Sequence, residues 1–422
     1  MDAVNLPKLR FPEFYGKWEY QKLADIASVI TEKAGNGKYT LMSITSGVGL
    51  VSQIEKFGRE IAGQAYKNYI VIRENDFAYN KSSTKDAPEG FLAMYSGKEA
   101  GAVPNSIFTC FSVQKDKVIP KYLSYLFLGN LHGRWLRNFI TVGARAHGSL
   151  NVDDEDLMSL PVPLPQKETL AEQQKIADCL TSLDELISAQ SQKVQALQAY
   201  KKGLMQNLFP PEGETVPRLR FPEFESAGEW EVKKLKNVSP AVFDGTHQTP
   251  TYTTEGIPFY SVENIVSGAK NKFISPEDYA IATNKNKPEK SDILLTRIGK
   301  IGFSQVVTWD FDFSVYVTLA VIKSSKSFVS HFLHYYMQSN RYQNELFSKS
   351  LLNAVPPKIN MDSLRDTEVL LPKRKEEQQR IADFLSSIDE EISAHSEAVE
   401  LLKSHKKGLM QGLFPSVEEV QK

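Results

Sequence analysis

The chain carries one plan twice. LPKLRFPEF at residues 6–14 returns as VPRLRFPEF at 216–224, and GKWEYQKL from Gly16 returns as GEWEVKKL from Gly228. Further along, EQQKIADCLTSLDELISAQ from Glu172 returns as EQQRIADFLSSIDEEISAH from Glu377, and KKGLMQNLFP from Lys201 returns as KKGLMQGLFP from Lys406. Between the matched blocks lie two stretches, about 24–150 and 236–358, alike in length and rough pattern but almost unrelated in sequence. A chain of 422 residues ordered variable, constant, variable, constant folds as two copies of one unit, not as one globule.

The constant blocks read as long helices. From Ile176, steps of four and three reach Leu180, Leu183, Ile187, Gln190, Val194, Leu197, Lys201, Leu204 and Leu208. From Ile381 the same walk gives Leu385, Ile388, Ile392, His395, Val399, Leu402, Lys406, Leu409 and Leu413. This is a coiled-coil seam, with polar interruptions at matching steps. Gln190, Lys201, His395 and Lys406 either set the register of the pairing or lie at the seam's margin. Thr169 and Glu172 have capping-box spacing after the helix-excluding PVPLP of residues 161–165, and Pro210 and Pro415 stop the helices. Some 40 residues at 1.5 Å each make a rod of about 60 Å. Two rods with matching seams should pair, and antiparallel pairing would put a variable domain at each end.

The variable stretches read as α/β. Residues 69–73, 107–113, 293–296 and 315–322 are rich in β-branched and aromatic side chains, and helical patterns follow at 121–138 and 330–348. Cys110 and Cys179 stand far apart without a CxxC partner, so they build neither a zinc site nor a disulfide framework. No apolar run approaches the ~18 residues of a membrane span, and the first ten residues lack the pattern of a secretory signal, so a cytoplasmic protein is expected. The net charge of −1 sits awkwardly with phosphate binding. Basic residues do cluster, at Lys115, Lys117, Lys121, Arg134, Arg137 and Arg145, and again at Lys285, Lys287, Lys290, Arg297 and Lys300.

The FPEF near each repeat start, the Leu/Pro-rich lead-in, EQQ(K/R)IAD opening a long helix and KKGLMQxLFP closing it together resemble the Type I restriction-modification specificity subunits. The resemblance covers nearly the whole chain. It implies target recognition domains at 1–160 and 216–368, and spacer helices at 161–215 and 369–422. It further implies that each recognition domain reads one half of a bipartite double-stranded DNA site. The helices would bind two methyltransferase subunits, and restriction subunits would join through the complex. The chain itself would then be non-catalytic and hold no cofactor; S-adenosylmethionine, ATP and magnesium would belong to the partners, which could also supply much of the phosphate contact. The alternatives are a nuclease with an unrecognised site and a coiled-coil scaffold that binds protein alone.

Motifs for chemistry are missing or imperfect. Around Gly35-Asn36-Gly37-Lys38, Glu32 replaces the first glycine of a phosphate-binding loop and Tyr39 its hydroxyl, which leaves a hairpin turn. Val355-Pro356-Pro357-Lys358 matches an amino-methyltransferase tetrapeptide only in its prolines. His331 and His334 share a helix face without a third metal ligand, and the acidic run 153–156 suits a helix start behind Asn151. Base reading uses polar side chains presented on loops. Three places fit: Lys81, Ser82 and Ser83, matched by Arg297 and Lys300; Thr246, His247 and Thr249; and Arg145 with His147, matched near Lys358.

Overall fold

The structure is a computed structural model that describes residues 6–415 apart from 46–47, 62–63, 141–147, 149, 168 and 269–271. Four helices organise it: α1 (Pro120–Leu128), α2 (Thr169–Leu208), α3 (Ser330–Gln338) and α4 (Lys375–Leu413). The chain divides into two compact units, Met1–Gln190 with Ala398–Lys422, and Ser191–Glu397. The division falls inside α2 and α4, so each unit holds part of both long helices.

In the first unit, β1 (Ala27–Val29), β2 (Phe77–Asn80), β3 (Phe91–Met94) and β4 (Phe108–Val113) form an antiparallel sheet in the order β1-β4-β2-β3. In the second, β5 (Val242–Asp244), β6 (Ile293–Thr296), β7 (Ser304–Val306) and β8 (Leu319–Ile322) form β5-β8-β6-β7, the same order. Each unit has a second four-stranded sheet with one parallel pair, Thr40–Thr45 beside Gly101–Val103 and Ile257–Tyr260 beside Ser314–Val315. Each is closed by a ribbon, Trp18–Lys22 with Pro161–Pro165 and Glu231–Lys234 with Glu368–Leu371. PVPLP is thus an outer strand, a place where missing N–H donors cost little. The repeat therefore extends through the variable stretches, although their sequences do not show it.

The long helices pair antiparallel within each unit. In the first, Ile176, Ala177 and Leu180 share a core with Leu413 and Phe414, while Asp184 meets Lys406 one to two turns on. In the second, Leu204 and Leu208 pack with Ile381 and Leu385, and Lys201 meets Asp389. Tyr122, Leu123 and Leu126 of α1 join the first core, and Phe332, Leu333 and Tyr336 of α3 the second, so each α/β domain is docked on its helix pair. Ile176, Leu180, Leu204, Ile381, Leu385 and Ile388 are buried. Leu183, Ile187, Leu197, Ile392, Leu402 and Leu409 are half-buried.

The duplicated motifs are contacts. Arg10 grips Glu172 at 2.7 and 2.8 Å and donates to the Gly16 carbonyl at 2.7 Å. Arg220 grips Glu377 at 2.8 and 2.8 Å and donates to the Gly228 carbonyl at 2.7 Å. The next residue also repeats its role: Gln173 accepts from the Ile119 amide at 2.8 Å and Gln378 from the Val329 amide at 2.9 Å, satisfying the N-caps of α1 and α3. The third, Gln174 or Gln379, reaches the aspartate of IAD one turn on.

Three local expectations change. Glu172 is committed to Arg10, and Thr169 lies inside the helix, its hydroxyl accepting from Gln173, so the two make no capping box. The helix at Asp154–Met158 is capped by Asp153 with Asp156, not by Asn151. The helical stretches 121–138 and 330–348 each split in two, the first at Asn130, whose φ is 61°, the second at Ser339.

Candidate nucleic-acid interface

The three loop groups singled out in the sequence come together in the second unit. The loop after β6 and the segment before Ile359 are stitched by Gly299 N to Pro357 O at 2.8 Å and Ile359 N to Arg297 O at 2.9 Å. The loop after β5 lies against Tyr316, with Thr246 N donating to Val315 O at 3.0 Å. Arg297 joins all three: its Nε donates to Ile359 O at 3.2 Å, and its terminal nitrogen to Val317 O at 2.9 Å and to Asp244 Oδ2 at 3.0 Å. With 6 % of its surface exposed, Arg297 is drawn inside beneath the loops instead of standing on the surface, because a buried cation needs this set of acceptors. Burial also pushes its pKa down, and Asp244 opposes that.

Above Arg297 stand exposed polar side chains. His247 contacts Asp244 at 3.0 Å, and Thr249 is within 3.2 Å of the Tyr316 hydroxyl. Thr246 is half-buried and its hydroxyl donates to Gln248 O at 3.2 Å; Lys300 is exposed and Lys358 half-buried, bridging in the backbone to Ile298 and Leu351. In the first unit the same stitching recurs, with Leu150 N to Lys81 O at 2.7 Å and Ser83 N to Gly148 O at 2.5 Å. Lys81 thus stands where Arg297 does, and its ammonium reaches Asp154 at 3.3 Å. Ser82 N donates to Asn80 at 2.9 Å. Arg145 and His147 lie outside the described residues.

Residues weighed for other chemistry are accounted for. Gly35 to Lys38 begins in a turn, Gly37 N donating to Ala34 O at 2.8 Å. His334 is held between Ser304, at 3.0 Å, and Gln338, at 2.7 Å, and burial lowers its pKa to about 4, while His331 is exposed. Among the described residues no group of three potential metal ligands gathers, and no helix is long and apolar enough to cross a membrane.

The family model of the Type I restriction modification DNA specificity domain matches at residues 15–199 and again at 227–402. The chain belongs to that family. It is 27 % identical to the MjaX type I restriction enzyme specificity subunit of Methanocaldococcus jannaschii, over 97 % of this chain and 96 % of that one. Identity to the MjaVIII specificity subunit of the same organism is 26 %, over 82 % and 79 %. Among solved structures, the type I S subunit from M. genitalium superposes with a TM-score of 0.60 at 13 % identity, covering 98 % of this chain and 100 % of that one. The fold is shared at an identity too low to carry residue roles across. The chain is therefore a Type I specificity subunit, and its two α/β domains are target recognition domains.

Sequence reasoning missed the residues that build this interface from beneath. Asp244 falls outside the polar residues singled out in the sequence, and Tyr316 and Val317 read there only as strand. The one available signal was a carboxylate flanking a Gly- and Thr-rich loop.

Proposed function

We propose that each recognition domain reads one half of a bipartite, asymmetric DNA site, and that the paired helices set the spacing and dock two methyltransferase subunits, through which restriction subunits join. In this reading the subunit is cytoplasmic and performs no chemistry; S-adenosylmethionine, ATP and magnesium are bound by its partners. Lys81, Ser82, Ser83, Arg145 and His147 belong to the first reading surface, and Thr246, His247, Thr249, Lys300 and Lys358 to the second.

The observation that carries the reading is the shared stitching of the loops after β2 and β6, on sheets of one strand order, beneath loop side chains that mostly differ between the units. A constant frame with variable polar loops is what reading two different half-sites requires. Matching grooves on the KKGLMQ faces support the docking part. The first, about 680 Å³, is lined by Leu128, Arg134, Lys403, Lys407 and Met410, the second, about 270 Å³, by Met205, Pro210, Arg218 and Arg341.

The test is to exchange residues 236–358 for those of another family member and map methylated sites in cells that also carry the partners. One half of the site should change completely and the other stay. A change in both halves would rule out independent reading, and no change in either would leave a protein scaffold.

A further inference from the structure

One exposed side chain of the second unit has its direction fixed from below. We propose that His247 reads a base edge in the second half-site, as a hydrogen-bond acceptor for an exocyclic amino group, and that Asp244 and Arg297 are positioning residues that hold its ring. This rests on the DNA-reading function proposed above.

The chain of contacts runs from the interior outward. Arg297 is buried and spends its terminal nitrogen on Val317 O and Asp244 Oδ2. That same Oδ2 lies 3.0 Å from His247 Nε2, while the His247 side chain is 73 % exposed. The backbone between them is equally fixed. Thr246 N donates to Val315 O and Val317 N donates to Thr246 O, both at 3.0 Å. A Cβ at Gly245 would fall 1.9 Å from the Val315 carbonyl oxygen, so only glycine lets the loop lie this close. Beyond His247, Thr249 and Tyr316 tie down the far side.

A surface histidine normally loses rotamer freedom when it binds; one held by a half-buried carboxylate that is itself anchored on Arg297 has lost part of it already, so less affinity is forfeited. The carboxylate accepts, so Nε2 carries the proton it shares with Asp244, and in the tautomer with that single ring proton Nδ1 is the acceptor. Phosphates are acceptors too and do not complement it. Adenine N6 and cytosine N4 do, and both lie in the major groove. Among the described residues of the first unit Lys81, at the position of Arg297, meets Asp154 and holds no histidine, so the effect is expected at one half-site.

The experiment uses the full chain with its methyltransferase partner. Binding is measured to duplexes of the mapped site in which single adenines or cytosines of the second half are replaced by purine or 2-pyrimidinone nucleosides, which lack the amino group. For the wild type, one such replacement should weaken binding roughly 5- to 150-fold, the span of a good base contact. His247→Ala should show no further loss at that position, and its methylation map should become degenerate there and nowhere in the first half. Asp244→Asn, which keeps the side chain's shape, and Arg297→Lys, which keeps the charge but not the guanidinium fork, should relax the same position by a smaller factor. An unchanged map for His247→Ala, or a uniform loss on every sequence, overturns the proposal. If exchanging 236–358 leaves the second half-site intact, it is the underlying reading that fails.

Discussion

The two units carry the same clamp in unequal states. In the second, Glu377 accepts from Arg220 and also from the Trp230 indole at 3.2 Å. In the first, Glu172 accepts from Arg10, and the corresponding indole nitrogen of Trp18 is buried without a partner among the described residues. Arg220 is 8 % exposed and Arg10 16 %, each against a glutamate at 1 %. The clamp is thus a structural constant whose strength has drifted between copies, whereas Arg297 and Lys81 are one position put to different uses. Constancy marks what holds a recognition domain on its helices, and divergence marks what the domain reads.

The largest effect should come from breaking the stronger clamp. Arg220→Ala strands a buried carboxylate, and removing one partner of such a pair typically costs about 3–5 kcal/mol. Arg10→Ala should cost less, because the first clamp is more exposed and lacks the indole bond. Segment-resolved hydrogen exchange is the measurement: protection should collapse around 377–388 in the first variant and fall more modestly around 172–183 in the second. Equal losses would mean that the indole contact is incidental.

How much of this was legible in sequence follows from the range of each interaction. The helices were legible because a period of 3.5 repeats over about nine turns in each, and the seam positions from Ile176 to Leu208 and from Ile381 to Leu413 could be counted without a structure. The α/β class was legible from the composition of short runs, but the shared strand order was not. Residues 315–322 show why: they read as one strand, yet Ser314–Val315 and Leu319–Ile322 belong to different sheets. The clamps join residues 162 and 157 positions apart, beyond any local pattern. A signal was nonetheless present, since Arg10 with Arg220 and Glu172 with Glu377 are opposite charges duplicated in step. Arg297 was misjudged for the opposite reason: arginine is the commonest base reader, and nothing in the sequence shows that this one is buried.

Acid should act on both units through different histidines. In the first, His132 is buried against Tyr79 and Phe127 with its Nε2 3.3 Å from the Gly90 carbonyl, and burial lowers its pKa to about 4. His334 in the second unit is lowered to about 4 by burial as well, with Lys201 and His331 adding to it. An unfolded histidine takes up its proton near pH 6.5, so between about 6.5 and 4 the unfolded state binds protons that the folded state refuses. Stability is therefore full above about pH 6.5 and falls with pH, by at most about 3 kcal/mol per histidine at the bottom of the window. Urea midpoints at pH 7.5 and 5.5 should show the loss. His132→Gln should flatten the pH dependence of hydrogen exchange in the first unit and leave the second unchanged; an effect on both would mean the two units do not unfold separately.

The smallest effect tests the lysines of the seam. Lys201 reaches both oxygens of Asp389, at 2.6 and 2.7 Å, beneath a bond from Tyr335 to the same carboxylate at 2.7 Å. Lys406 reaches one oxygen of Asp184 at 2.5 Å, and Tyr125 donates to the other at 2.8 Å. Both ammonium groups also lie over the tyrosine ring, at 4.9 and 5.0 Å. Each lysine thus ties the partner helix and the recognition domain at one point, so sliding either helix by a turn would break both contacts at once. Asp389 and Asp184 are about 40 % exposed, so water screens both pairs and most of the Coulomb energy is already lost. Replacing either lysine by methionine keeps the stem's packing and should cost only about 0.5–1.5 kcal/mol, slightly more at 201, where two bonds are lost and only Oδ2 of Asp389 keeps a donor, Tyr335. The sharper measurement is salt dependence. Raising ionic strength should erase the difference between wild type and Lys406→Met if the bond to Asp184 is electrostatic in origin, and leave it unchanged if the stem over Tyr125 provides the stabilisation. The second result would make the seam lysines spacers, and register would then rest on the leucines and isoleucines alone.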